Sequence, residues 1–117
     1  MRENQMGTCV DIRVDHGVDG PVLVLGGDLD VRSTGAVRAA VYEHLQSVAV
    51  GSRVVVDISQ IHSVDATALK MLAVASRWSH RYGARVVLRG ACPAVRRMLH
   101  LTHLIRVIEL EREPIPA

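Results

Sequence analysis

Three consecutive valines, Val54-Val55-Val56, stand between two segments spaced for helices. A β-branched run of this kind fits a strand buried on both faces. Strands that alternate with helices are joined by crossovers, so much of the sheet must be parallel. The rest of the chain fits around that strand. Cys9–Asp15 alternates apolar and polar residues, the spacing of a half-buried strand. Residues 16–21 hold two Gly and a Pro and read as a turn. Val22–Leu25 is a short strand running into Gly26-Gly27, a doublet that suits a bulge or tight bend.

Ser33 or Thr34 is placed to cap a helix over Ala36–Ala49, with Val37, Ala40, Val41, Leu45 and Val48 on one stripe. Gly51-Ser52 ends it, Arg53–Ile58 is the central strand and Ser59–Val64 reads as a connection. Asp65 caps a second helix running to about Tyr82 and stopped by Gly83. Ala84–Leu88 is a strand, Ala94–Leu101 a short helix introduced by Gly90 and Pro93, and Leu104–Leu110 a last strand. The order ββαβαβαβ is that of an α/β domain with a mixed sheet and a leading hairpin. The expected layout is a flexible 1–8, one domain over 9–110 and a loose tail over 111–117.

With 117 residues, 49% of them hydrophobic, the chain has enough apolar surface for one packed core. No apolar run approaches the roughly 20 residues that a membrane helix needs. Met1–Thr8 is polar, so the expectation is a cytoplasmic protein with no membrane insertion. Tyr42, Trp78 and Tyr82 are the only aromatic residues. Binders of single-stranded nucleic acid use aromatic stacking platforms, so direct nucleic-acid binding is not expected. Cys9 and Cys92 are too few for a disulfide framework or a zinc site. They read as reduced thiols, with a Cys9–Cys92 bridge left open.

Charge is segregated. Residues 1–65 hold five Arg against nine acids, whereas 66–108 hold Lys70 and seven Arg with no acid at all. Such a basic stretch suits an acidic partner or a phosphate, and equally a solvated helix face.

Enzymatic readings find little footing. There is no Gly-x-x-x-x-Gly-Lys phosphate loop, and Gly26-Gly27 lacks dinucleotide spacing. His100 and His103 lack a third ligand close in sequence, so no metal is expected. His62, Ser63 and Asp65 are triad residue types without a nucleophile elbow. The informative segment is instead the start of the second helix. Asp65 falls at its N-cap and Thr67 at its second position, where free N–H groups and the positive helix end accommodate a phosphate. An ordinary first-turn hydroxyl is the plainer alternative. On the helical wheel Thr67, Met71, Val74 and Trp78 share a face flanked by Lys70, Arg77 and Arg81. Leu69, Leu72, Ala73 and Ser76 lie opposite, placed to pack on the sheet. An exposed apolar strip rimmed by cations has the composition of an interaction site; the competing orientation turns Trp78 inward.

These residues resemble the STAS family, the anti-sigma factor antagonist domain. Asp57-Ile58-Ser59, then Asp65-Ala66-Thr67-Ala68-Leu69, is similar to the family's Asp-Leu-Ser and Asp-Ser-Ser-Gly-Leu. Gly27-Asp28-Leu29-Asp30 resembles its Gly-Glu-Leu-Asp segment, and the likeness covers about residues 9–110. The resemblance implies a mixed sheet of four to five strands with helices mainly on one side. It implies a non-enzymatic regulator without a cofactor, which binds an anti-sigma factor of serine/threonine kinase type and frees a sigma factor. Phosphorylation at the motif's second hydroxyl, Thr67 here, ends the interaction, and a phosphatase resets it. The implied partner surface takes in Asp28, Asp30, Asp65 and Thr67, beside the strip of Lys70, Met71, Val74, Arg77 and Trp78. Ala66 and Ala68 depart from the pattern and leave Thr67 as its one hydroxyl. The alternatives are a constitutive STAS subunit of a transport or stress-signalling complex and a small-ligand module.

Overall fold

The computed structural model describes residues 10–17, 20–48, 51, 53–81 and 83–111. Strands β1 (Val10–Gly17) and β2 (Gly20–Leu29) form an antiparallel hairpin closed at the Gly17–Gly20 pair. Helix α1 (Thr34–Ser47) leads to β3 (Arg53–Val64), α2 (Ala66–Arg81), β4 (Arg85–Arg89), α3 (Pro93–Leu101), a 3-10 turn (Leu104–Arg106) and β5 (Glu109–Leu110). The sheet runs β1-β2-β3-β4-β5, and every pair after the hairpin is parallel. This is the expected mixed α/β sheet in the expected element order.

One face of the sheet carries all three helices. Leu23, Leu25, Val54, Val56, Val86 and Leu88 share a core with Val37, Val41 and Leu45 of α1, Leu69 and Leu72 of α2, and Val95 and Leu99 of α3. Full burial of each such side chain contributes about 1.5–3 kcal/mol. The other face buries Val22, Val24 and Val55 in a small cluster of strand residues. Ion pairs flank it: Arg53 and Arg89 both reach Glu111, at 2.5 and 2.6 Å, and Arg85 reaches Glu109. The Arg89 guanidinium, joined by Arg53, holds the Glu111 carboxyl below the usual carboxylate range.

Several boundaries differ from the sequence reading. Ser59–Val64 is not a connection, because β3 continues through it and pairs with Gly26–Leu29 of a lengthened β2. The Gly26-Gly27 doublet does mark an irregularity, with register shifts on both sides of it. Helix α1 starts at Thr34, and Ser33 makes no side-chain cap; its hydroxyl instead accepts from the Asp30 N–H at 3.0 Å. The expected last strand shrinks to two residues. His103 takes a left-handed φ of 62°, and the next residues wind into the 3-10 turn before the chain reaches the sheet. Gly90 is fixed by space as well as by its φ of 78°: a Cβ there would lie 2.6 Å from the Ser59 Cβ. Gly83 and Ala84 close α2 by donating to the His80 and Ser79 carbonyls. Cys9, Ala49, Ser52, Tyr82, the expected flexible segment 1–8 and residues 112–117 of the expected tail 111–117 lie outside the described residues; Glu111, the first residue of that tail, is held by Arg53 and Arg89, and Cys92 is half-buried with no disulfide among the described residues. No described helix is long and apolar enough to cross a membrane.

Candidate functional site

The carboxyl ends of β2 and β3 lie side by side, with Leu29 paired to Val64. In open α/β sheets such ends are where ligands and partners meet the fold. Here the two connections leaving them are tied together by Asp65. Its Oδ1 accepts from the Ala68 N–H at 2.9 Å, an N-cap on the third residue of α2. Its Oδ2 accepts from the Val31 N–H at 3.1 Å, and its own N–H donates to the Leu29 carbonyl at 3.0 Å. One side chain therefore both starts α2 and holds the β2–α1 loop against it.

The two aspartates from the earlier motif serve the same corner. Asp28 Oδ1 accepts from the Ser63 hydroxyl at 2.8 Å, bracing the end of β3. Asp30 accepts from the Arg32 N–H at 2.9 Å and from the Arg32 guanidinium at 3.0 Å. That guanidinium holds Asp30 below the usual carboxylate range. The Thr34 hydroxyl donates to the Asp30 carbonyl at 2.8 Å. The turn before α1 is thus organised by Asp30 rather than by a Ser33 cap.

Thr67 projects from this corner. It is exposed, it is the second residue of α2, and its hydroxyl has no hydrogen bond among the described residues. Both Asp65 oxygens are already engaged, so the fold does not depend on Thr67 Oγ1. Val31, 67% exposed, sits on the adjoining loop. Nothing in the sequence pattern singled it out, since one valine in a polar loop carries no periodicity.

The outer face of α2 continues from Thr67. Lys70 and Arg77 are exposed, Val74 is 60% exposed, and Met71 and Trp78 are half-buried against the core. The expected exposed strip of Met71, Val74 and Trp78 therefore reduces to Val74. Leu69, Leu72 and Ala73 are buried as the wheel required, with Ser76 half-buried. Trp78 lies between the two orientations left open above. Its ring meets Tyr42 of α1 edge-on, with centroids 5.1 Å apart and planes at 78°. The Arg38 guanidinium lies 5.9 Å from the Tyr42 ring centre. Arg38 and Tyr42 thus extend this surface onto α1, and their four-residue spacing was the available signal. Val74, Arg77, Trp78 and Arg81 line a shallow groove beside it.

The other candidate chemistries are not assembled. The Ser63 hydroxyl is given to Asp28, and among the described residues no three His, Cys, Asp or Glu side chains group to hold a metal.

The comparisons with known proteins agree with this geometry. Residues 12–109 match the family described as Mlab, STAS domain. No curated protein sequence matches the chain. The crystal structure of an anti-sigma factor antagonist from Mycobacterium paratuberculosis superposes with a TM-score of 0.70 at 25% identity, covering 89% of this chain and 86% of that one. The anti-sigma factor antagonist SpoIIAA in its unphosphorylated form gives 0.67 at 17%, covering 88% and 90%. The Bacillus cell fate determinant SpoIIAA in the phosphorylated form gives 0.62 at 16%, covering 88% and 93%. The last two likenesses concern the fold alone. With the family matched from 12 to 109 and the sheet, helices and capped α2 corner all in place, this chain belongs to the STAS domain family.

Proposed function

We propose that this STAS domain is an anti-sigma factor antagonist that acts by binding, in the cytoplasm, and is switched off by phosphorylation of Thr67. The observation that carries the reading is the placement of Thr67: exposed, without a hydrogen bond among the described residues, and at the second position of a helix whose cap is independent of it. The partner is an anti-sigma factor of protein kinase type. It docks over the α2 corner, meeting Val31, Thr67, Lys70, Val74 and Arg77, with Asp28, Asp30 and Asp65 shaping the loop beneath. The kinase moves the γ-phosphoryl group of ATP to Thr67 Oγ1, releasing ADP and the hydroxyl proton. A phosphatase returns inorganic phosphate and the free hydroxyl by hydrolysis.

Physically, the phosphate adds about −2 of charge next to Asp65. In the free domain the helix N-terminus and water accommodate it. In the complex the same group would be desolvated against a surface fitted to a neutral hydroxyl, at a cost of several kcal/mol. The modification therefore blocks docking without unfolding the domain. Supporting this, a phosphorylated relative has the same fold.

Phosphosite mapping by mass spectrometry tests the reading, on wild type and Thr67→Ala incubated with ATP and native extract. The expected result is a phosphate on Thr67 and a kinase partner that leaves the modified protein but stays on Thr67→Ala. An unmodified Thr67 with a stably bound transport ATPase would make the domain a constitutive module instead.

A further inference from the structure

The two edges of the sheet are unlike. β5 forms one of them with only two residues, Glu109–Leu110. β1 forms the other with eight, and among the described residues no strand pairs with its outer side. One row of its backbone N–H and C=O groups therefore faces outward, open to another extended chain. Its side chains alternate between the two faces. Ile12 and Val14 stand opposite Leu25 and Leu23, on the helix-bearing face, with His16 in the same row. Asp11, Arg13 and Asp15 stand on the bare face.

α1 leaves part of the helix-bearing side of β1 uncovered. An opening of about 520 Å³ lies there, bordered by Ile12, Val14 and Leu23 of the hairpin and Ala40, Glu43 and Ser47 of α1. Val14 is 44% exposed, although Leu23 opposite it is 1% exposed. The core thus runs out to an apolar edge.

The charges on the bare face say which chain fits that edge. Arg13 stands between Asp11 and Asp15, with its guanidinium 3.9 Å from one carboxylate and 3.3 Å from the other. All three residues are exposed. An acid–base–acid order of this kind is self-complementary when identical strands pair antiparallel. A two-fold axis through Val14 sets Arg13 opposite Asp15 of the second copy, and Asp15 opposite its Arg13. The same axis sets Val14 against Val14 and Ile12 against His16 on the other face. Residues opposite one another have Cβ atoms about 4.5–5.5 Å apart, closer than the roughly 6.6 Å between neighbours two apart in one strand. An axis through Arg13 would oppose Arg13 to Arg13 and Asp11 to Asp15, like charges throughout. An axis through Ile12 matches only Val10–Val14 of the described strand, whereas the one through Val14 matches Asp11–Gly17.

We propose that β1 pairs with β1 of a second copy of this chain, antiparallel about Val14, and joins the two five-stranded sheets edge to edge. Val14 pairs with Leu23 near the start of β2, so the axis lies away from the Leu29–Val64 end and leaves the α2 corner of each copy open. This interface does not rest on the antagonist reading.

Sedimentation equilibrium of the full chain, across roughly 1 to 500 μM, tests it. Wild type is compared with Val14→Lys, Arg13→Asp and the exchange Arg13→Asp/Asp15→Arg, with circular dichroism melting to show that each variant is folded. The two-fold makes every substitution count twice. The expected result is a concentration-dependent dimer in wild type, weakened about tenfold or more by Val14→Lys and by Arg13→Asp. The exchange restores the opposed charges only for an axis through Val14, and is expected to return dimerisation to near the wild-type level. A monomer at every concentration would overturn the proposal. So would a dimer that neither single substitution weakens, or one that the exchange fails to restore.

Discussion

Asp65 and Thr67 are two residues apart and carry opposite kinds of role. Asp65 makes two side-chain hydrogen bonds to backbone, one on the β2–α1 loop and one in the first turn of α2, whereas Thr67 makes none among the described residues. Asp65→Ala is therefore expected to lower stability by about 1–2 kcal/mol in urea unfolding. Thr67→Ala should stay within about 0.5 kcal/mol of wild type. His44 is a second residue with a clear consequence. It is 4% exposed, its Nε2 has no hydrogen-bond partner among the described residues, and burial pushes its pKa below the ordinary 6.5. In the unfolded chain His44 takes a proton as pH falls through about 6.5, while in the folded chain it does not. Its contribution to stability is thus full above that pH and declines below it. His44→Leu should remove that part of the pH dependence, seen in unfolding curves between about pH 7 and 5, and be neutral or stabilising at pH 7.5.

At the scale of elements, what was legible in the sequence was what is decided locally. Val54–Val56, the Asp65 cap and the buried stripe Leu69, Leu72 and Ala73 depend on spacing and first-turn chemistry, and all stand as read. The continuation of β3 over Ser59–Val64 did not show, because its polar residues are held by pairing with β2 across two register shifts. The shortening of β5 did not show either. Leu104–Val107 has the composition of a strand, but His103 in the left-handed region commits it to a turn. Of the candidate site, the acids and the cations on α2 could be named, whereas the inclination of Trp78 needed Tyr42 from another helix. That edge-on contact couples α1 to α2. A double-mutant cycle with Tyr42→Ala and Trp78→Ala is expected to give an interaction of about 1 kcal/mol. A value near zero would mean the rings merely share a surface.

Across the whole molecule the acid-free stretch is divided in two. Arg85 and Arg89 are consumed by Glu109 and Glu111. Lys70, Arg77, Arg81 and Arg106 have no ion pair among the described residues and leave the α2 side positive. The Asp28, Asp30 and Asp65 corner lies at the other end of the same helix. A partner presenting acidic groups to α2 would be steered onto it, so association should slow about tenfold or more between roughly 0.05 and 0.5 M salt. Stopped-flow mixing with the purified anti-sigma factor reads this directly, and a salt-independent rate would remove charge steering from the account. The most direct test of the whole is the affinity of that anti-sigma factor for this domain with and without phosphate on Thr67. The phosphate is expected to weaken binding at least a hundredfold, with the domain's thermal stability nearly unchanged. Equal affinity of the two forms would contradict it.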